Sequence, residues 1–180
     1  AAGLLLTSWG DQGNLQPWPT FFAPLALGGA LAWNASDIPD DARIARAVDQ
    51  VFFDGFPGLG EAIVAFGLTE AELPKVHNRS RLFQAVMADA AALQTLAAAL
   101  PAEGRARARQ RMLAVQTRLK NLRIVPTQAK AALAVRELLW GLEMNLWALD
   151  RVEGVGAEKL YPRLRHLIGQ LESQWLERAR

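Results

Sequence analysis

The stretch 128–153 constrains the fold of this chain more than any other, because its apolar residues recur at steps of three and four residues on two sides of one helix. The two faces hold Val135, Leu139, Leu142, Leu146 and Leu149 on one side, and Leu133, Trp140, Met144 and Trp147 on the other. A helix with two apolar faces needs packing partners on both. The sequence therefore predicts that this helix lies at the centre of a bundle.

The same helical period recurs before and after this stretch. Helices are predicted over residues 20–33, 37–54, 60–66, 80–100, 105–123 and 157–180. Asp37, Asp40 and Asp41 are interpreted as capping and first-turn residues of one helix, not as ligands of a metal. The last helix is expected to close the domain with its apolar residues Leu160, Leu164, Leu167, Ile168, Leu171, Trp175 and Leu176.

The first residues of the chain have a different pattern. An apolar run without helical period leads into Trp9-Gly10-Asp11, which is typical of a short buried strand that ends in a loop. An indole can lie against the apolar face of a sugar ring, and a nearby carboxylate can accept hydrogen bonds from its hydroxyls. The alternative is a core tryptophan beside a turn aspartate, and the spacing alone leaves both interpretations open.

The segment Thr7-Ser8-Trp9-Gly10-Asp11-Gln12-Gly13-Asn14 resembles the last barrel strand of glycoside hydrolase family 20, the β-N-acetylhexosaminidases, in the bacterial branch with a helical C-terminal domain. The resemblance implies a mainly α chain. Residues 1–36 would be the last strand, loop and helix of a (β/α)8 TIM barrel, and residues 37–180 a bundle of roughly five or six helices. It also implies that Trp9 walls a sugar pocket and that Asp11 binds hydroxyls, while Trp18 could border the same pocket.

The resemblance further implies substrate-assisted retaining hydrolysis of terminal N-acetylhexosamine, in which the acetamido group of the sugar is the nucleophile. The family uses an adjacent Asp-Glu pair for this chemistry, and no such dipeptide occurs in this chain. We therefore expect a C-terminal fragment of a glycosidase that holds no catalytic residue and is inactive by itself. The sequence does not indicate a cellular compartment.

The expected partners are an amino-sugar glycan, the remainder of the barrel and, through the bundle, a second subunit in a homodimer. No cofactor or metal is expected, because the chain has no cysteine and the bundle has no Glu-x-x-His pair. The basic residues lack interleaved aromatic residues, so a nucleic-acid partner is not expected. The apolar run after residue 15 is interrupted by prolines, so no membrane span is expected either. The alternative function is a non-catalytic helical interaction or oligomerisation domain.

Overall fold

The computed structural model describes residues 16–76 and 80–179. These residues form a helical bundle without a β-strand. Its elements are a 3-10 helix, Trp18–Phe21, followed by α1 Phe22–Trp33, α2 Asp41–Phe52, α3 Leu59–Gly67, α4 Arg81–Met87, α5 Ala90–Ala99, α6 Ala102–Lys120, α7 Ala129–Val152 and α8 Ala157–Arg178. The mainly α prediction is confirmed for these ranges. The predicted barrel strand lies in residues 1–15, outside the described residues.

Helix α7 is the centre of the bundle, as its two apolar faces predict. It packs against α3, α4, α5, α6 and α8. Two of its tryptophans are buried and also hydrogen-bonded to α8: Trp140 Nε1 donates to the carbonyl of Leu167 at 2.8 Å, and Trp147 Nε1 donates to that of Leu160 at 2.9 Å. Both indole N–H groups are thereby satisfied in the core, which holds the register of α8 against α7.

The junction of α2 and α3 is held by one buried carboxylate. Asp49 of α2 accepts hydrogen bonds from the backbone N–H of Gly58, at 2.9 Å, and from that of Gly60, at 2.6 Å. Gly58 has a φ of +89°, which a residue with a side chain rarely adopts. Both amides lie at the start of α3, where backbone N–H groups have no intrahelical partner. Asp49 therefore satisfies two of these donors.

The predicted single helix over 80–100 is wrong, because the chain breaks between α4 and α5. Asp89 caps α5 by accepting from the N–H of Ala92 at 2.8 Å. The guanidinium of Arg151 on α7 donates to the carbonyls of Ala85, Val86 and Ala88 at the end of α4. A cation at a helix C-terminus is favourable and satisfies carbonyls that would otherwise lack partners. The break raises the number of described helices after residue 36 to seven, above the predicted five or six.

Helix α1 forms where it was predicted, but one of its sides is uncovered. Phe22 stacks on Phe52 of α2 with ring centroids 4.2 Å apart, which joins the inner side of α1 to the bundle. The opposite side, here called the α1 outer face, holds Leu25, Gly29, Ala32 and Trp33, and all four are exposed. The α1 outer face is therefore uncovered among the described residues. No helix in the described ranges has both the length and the apolar character needed to cross a membrane.

The last helix is also only partly buried. Leu160 and Leu167 lie in the core, and Leu164 and Leu171 pack against it. In contrast, Ile168, Trp175 and Leu176 are exposed, so the prediction that they all close the domain is wrong for these three. The helix contacts the bundle along one side only, because α7 is its main packing partner.

Most of the arginines on α6 are neutralised by carboxylates on neighbouring elements. Arg107 and Arg111 pair with Glu72, and Arg118 pairs with Glu61. Arg109 donates to Asp150 at 2.6 Å and to Glu153 at 2.7 Å. These pairs connect α6 to α3, to the segment that follows α3 and to α7, so the basic residues of α6 serve the packing of the bundle.

The carboxylate of Asp150 makes the stability of the bundle depend on pH. Burial raises the pKa of Asp150, but hydrogen bonds from Arg163 and Arg109, together with their positive charges, outweigh burial and lower the pKa overall. A lowered folded-state pKa stabilises the fold above the unfolded value of about 3.9, and this contribution is lost as pH falls through the folded pKa. We expect Asp150→Asn to unfold at lower urea concentration at pH 7 and to show a weaker loss of stability than the unchanged protein below pH ~4. Urea titrations across this pH range test both effects, and equal acid sensitivity of the two proteins would contradict the assignment.

Candidate functional site

The three residues predicted for a sugar site differ in what the structure says of them. Trp9 and Asp11 lie outside the described residues, so their proximity stays a prediction. Trp18 opens the 3-10 helix and is half exposed, with its ring edge-on to Phe21 at 5.7 Å between centroids. Its indole is therefore accessible on the side of the molecule where residue 16 begins the described chain.

The chain that follows the predicted sugar motif is anchored on α7 by Pro17. This proline is buried, and its ring lies directly over Gly141 in the middle of that helix. A Cβ added to Gly141 would lie 2.3 Å from Pro17 Cγ and 3.1 Å from Phe66 Cζ, so only glycine leaves room for this contact. The anchor fixes the start of the described chain against the middle of α7.

A cleft of about 210 Å³ lies beside this anchor. It is bounded by the 3-10 helix, by α3 and the turn after it, and by α4 and α7. The side chains that give it its character are the apolar Phe66, Phe83, Val86 and Met144 and the polar Thr20, Thr69, Glu70, Ser80 and Asn145. This volume lies below the roughly 300–1,000 Å³ of most ligand pockets, so the cleft has room only for a small ligand.

Most of the polar groups of the cleft already have partners within the fold. Glu70 accepts from the backbone N–H of Arg81 at 2.9 Å and from the hydroxyl of Ser80, and so caps the start of α4. The hydroxyls of Thr20 and Thr69 donate to carbonyls three residues earlier in the chain. Asn145 is half-buried and forms no hydrogen bond with any described residue, so its amide is free to bind a ligand.

The described side chains of the cleft are polar or apolar groups of the kind that bind a ligand. Its only carboxylate is engaged as a helix cap, and its lining holds no histidine, lysine or arginine among the described residues. An amide beside aromatic rings can bind a neutral polar ligand, and the described lining offers no free acid or base for proton transfer. Within the described ranges no group of three or more acidic or histidine side chains is arranged to hold a metal.

One residue of this cleft has a signal in the sequence. Asn145 interrupts the apolar pattern of α7 between Met144 and Leu146, and a polar residue on a central helix needs a partner or a cavity. Glu70 and Thr20 offered no comparable signal, because a carboxylate or hydroxyl in a turn is usual.

Comparison with protein-family models, curated proteins and solved structures finds no match to this chain.

Proposed function

We propose that this chain is the C-terminal part of a β-N-acetylhexosaminidase-like glycosidase and that it supplies two sugar-binding side chains and a supporting helical domain. The observation that carries the proposal is the segment Thr7-Ser8-Trp9-Gly10-Asp11-Gln12-Gly13-Asn14, with its resemblance to family 20. The parent enzyme hydrolyses terminal N-acetylhexosamine with the acetamido group of the substrate as nucleophile. Its catalytic Asp-Glu pair lies on another part of the barrel.

In this proposal the two side chains act on the substrate without reacting with it. The indole of Trp9 covers the apolar face of the terminal sugar and excludes water from it. The carboxylate of Asp11 accepts hydrogen bonds from outer hydroxyls, which are stronger than those to a neutral acceptor. Together they hold the sugar ring so that its acetamido oxygen faces the anomeric carbon. The binding energy of the two contacts is thereby used to orient the reacting atoms.

The uncovered side of α1 supports this proposal. A helix that follows the last strand of a barrel packs on the barrel with one face and on the next domain with the other. The inner side of α1 packs on the bundle through Phe22, and its outer face is apolar, with Trp33 94% exposed. Gly29 on this face has open space around its Cβ position, which would allow a strand layer to approach closely. The remainder of the barrel is the partner that the proposal assigns to this face.

The test is hydrolysis of a chromogenic N-acetyl-β-hexosaminide, in both gluco and galacto forms, by the parent protein and its variants. We expect Trp9→Ala and Asp11→Ala each to lower kcat/KM on the order of a hundredfold, since a contact worth about 2.7 kcal/mol in the transition state gives that factor. Trp18→Ala should have a smaller effect. The present chain alone should be inactive.

The matched control is Asp41→Ala, which removes an exposed aspartate that forms no hydrogen bond with a described residue. Its activity should equal that of the unchanged parent. A folded parent without activity on either sugar would refute the glycosidase and favour the non-catalytic helical interaction domain. Activity that survives both Trp9→Ala and Asp11→Ala would refute the two assigned roles.

A further inference from the structure

The exposed side of α8 has a regular apolar pattern. Tyr161, Ile168 and Trp175 are spaced seven residues apart, and each is more than half exposed, with Trp175 at 70%. Residues at this spacing lie along one line of a helix, the arrangement that coiled-coil seams use. Leu176 is exposed next to Trp175 and widens the apolar surface. We call these four residues the α8 stripe.

Two opposite charges flank the stripe. Arg165 and Glu172 lie on the same side of it, also seven residues apart, and both are exposed. Neither forms an ion pair or hydrogen bond with any residue that the structure describes, although most other arginines of the bundle are paired. The flank is therefore positive toward the start of α8 and negative toward its end.

We propose that the α8 stripe is a dimer interface in which the α8 helices of two copies of this chain pack antiparallel. A two-fold axis near Ile168 places Arg165 of each copy opposite Glu172 of the other, and Tyr161 opposite Trp175. The position halfway between Tyr161 and Trp175 in the sequence and the position halfway between Arg165 and Glu172 differ by half a residue, about 0.75 Å along the helix. One two-fold axis can therefore relate both pairs. A parallel pairing would instead bring like charges together, which is unfavourable.

Gly169 lies at the centre of this arrangement. It is exposed in the middle of a helix, where glycine costs about 1 kcal/mol relative to alanine. No atom lies within 4 Å of the position that its Cβ would occupy. Packing within one chain thus does not require glycine at position 169. Close approach of the α8 helix of a second copy beside the two-fold axis does require a residue without a side chain there.

The interface is distinct from the surface assigned to the barrel, because it uses α8 and not α1. One helix on each side buries less than a standard interface, so the dimer should form reversibly and depend on concentration. Sedimentation velocity of the full chain over a range of concentrations measures this equilibrium. Ile168→Glu, which puts two carboxylates at the axis, should raise the dissociation constant on the order of tenfold or more.

Leu113→Glu is the matched control, since it changes an exposed apolar residue on α6 outside the stripe. It should leave the dissociation constant unchanged. Arg165→Glu should weaken the dimer, and Arg165→Glu with Glu172→Arg should restore it. Circular dichroism of each variant shows whether it folds.

The direction of the helices is tested by cross-linking, because the chain has no cysteine of its own. A mixture of Tyr161→Cys and Trp175→Cys proteins should form the mixed disulfide in preference to either self-disulfide. A protein that is monomeric at all concentrations, or a dimer that Ile168→Glu leaves intact, overturns the proposal. A preference for self-disulfides overturns the antiparallel arrangement.

Discussion

Replacement of Gly60 by alanine is expected to destabilise the chain by about 3–5 kcal/mol, in the range of severe overpacking of a core. A Cβ at this position would lie 2.0 Å from the carbonyl oxygen of Ala45 and 2.7 Å from its carbonyl carbon. These are backbone atoms of α2, so no side-chain rotation relieves the clash and the two helices must separate. The separation would also lengthen the hydrogen bond from the Gly60 N–H to Asp49.

Gly67→Ala is the matched control, because Gly67 ends the same helix and has no atom near its Cβ position. The free energy of unfolding of the Gly67→Ala protein should be unchanged or higher, since alanine is more favourable than glycine within a helix by up to about 1 kcal/mol. Chemical denaturation followed by circular dichroism gives both free energies of unfolding. If Gly60→Ala and Gly67→Ala unfold at the same denaturant concentration, α2 and α3 do not pack as described.

Asp49→Ala should lower the free energy of unfolding by about 3 kcal/mol. The carboxylate is 9% exposed and accepts from two backbone amides at the start of α3. Hydrogen bonds to a charged group contribute about 1.5–3 kcal/mol each, and their removal leaves two N–H donors without partners. The loss is greater than that of an ordinary helix cap, because one side chain joins two helices.

The control for Asp49→Ala is Asp41→Ala, which removes an aspartate from the first turn of the same helix. Asp41 is exposed, so its main contribution is a favourable position at the helix N-terminus, worth about 0.3–1 kcal/mol. Urea denaturation at pH 7 compares the two variants. Equal losses would mean that Asp49 contributes through helix charge and not through its bonds to Gly58 and Gly60.

The α1 outer face and the α8 stripe have separate consequences. The α1 outer face belongs to the glycosidase proposal and should be covered in the parent enzyme. The α8 stripe belongs to the dimer and can be tested without any substrate. An inactive parent would therefore refute the glycosidase without bearing on self-association, and a monomeric chain would refute the dimer without bearing on hydrolysis.

Helix positions could be predicted from the sequence because their signals are local. The period of α7 and the cap at Asp40 depend on residues within a few positions of one another. For the candidate site, the identities and spacing of Trp9 and Asp11 left a sugar site and a core tryptophan beside a turn aspartate both open, and their sugar-binding roles were implied only by the resemblance to family 20. The cleft beside Pro17 was not predicted, because it joins Thr20, Glu70 and Asn145, which are far apart in the chain.

By itself the sequence determined that the chain forms a bundle around α7, since two apolar faces on one helix must both be buried. Only the tertiary structure decided three other features. The break after α4 depends on Arg151, a cation that reaches carbonyls more than sixty residues earlier. The requirement for glycine at position 60 depends on the backbone of α2. The exposure of Ile168 and Trp175 depends on how many neighbours α8 has, because periodicity shows which residues share a face but not whether that face is covered.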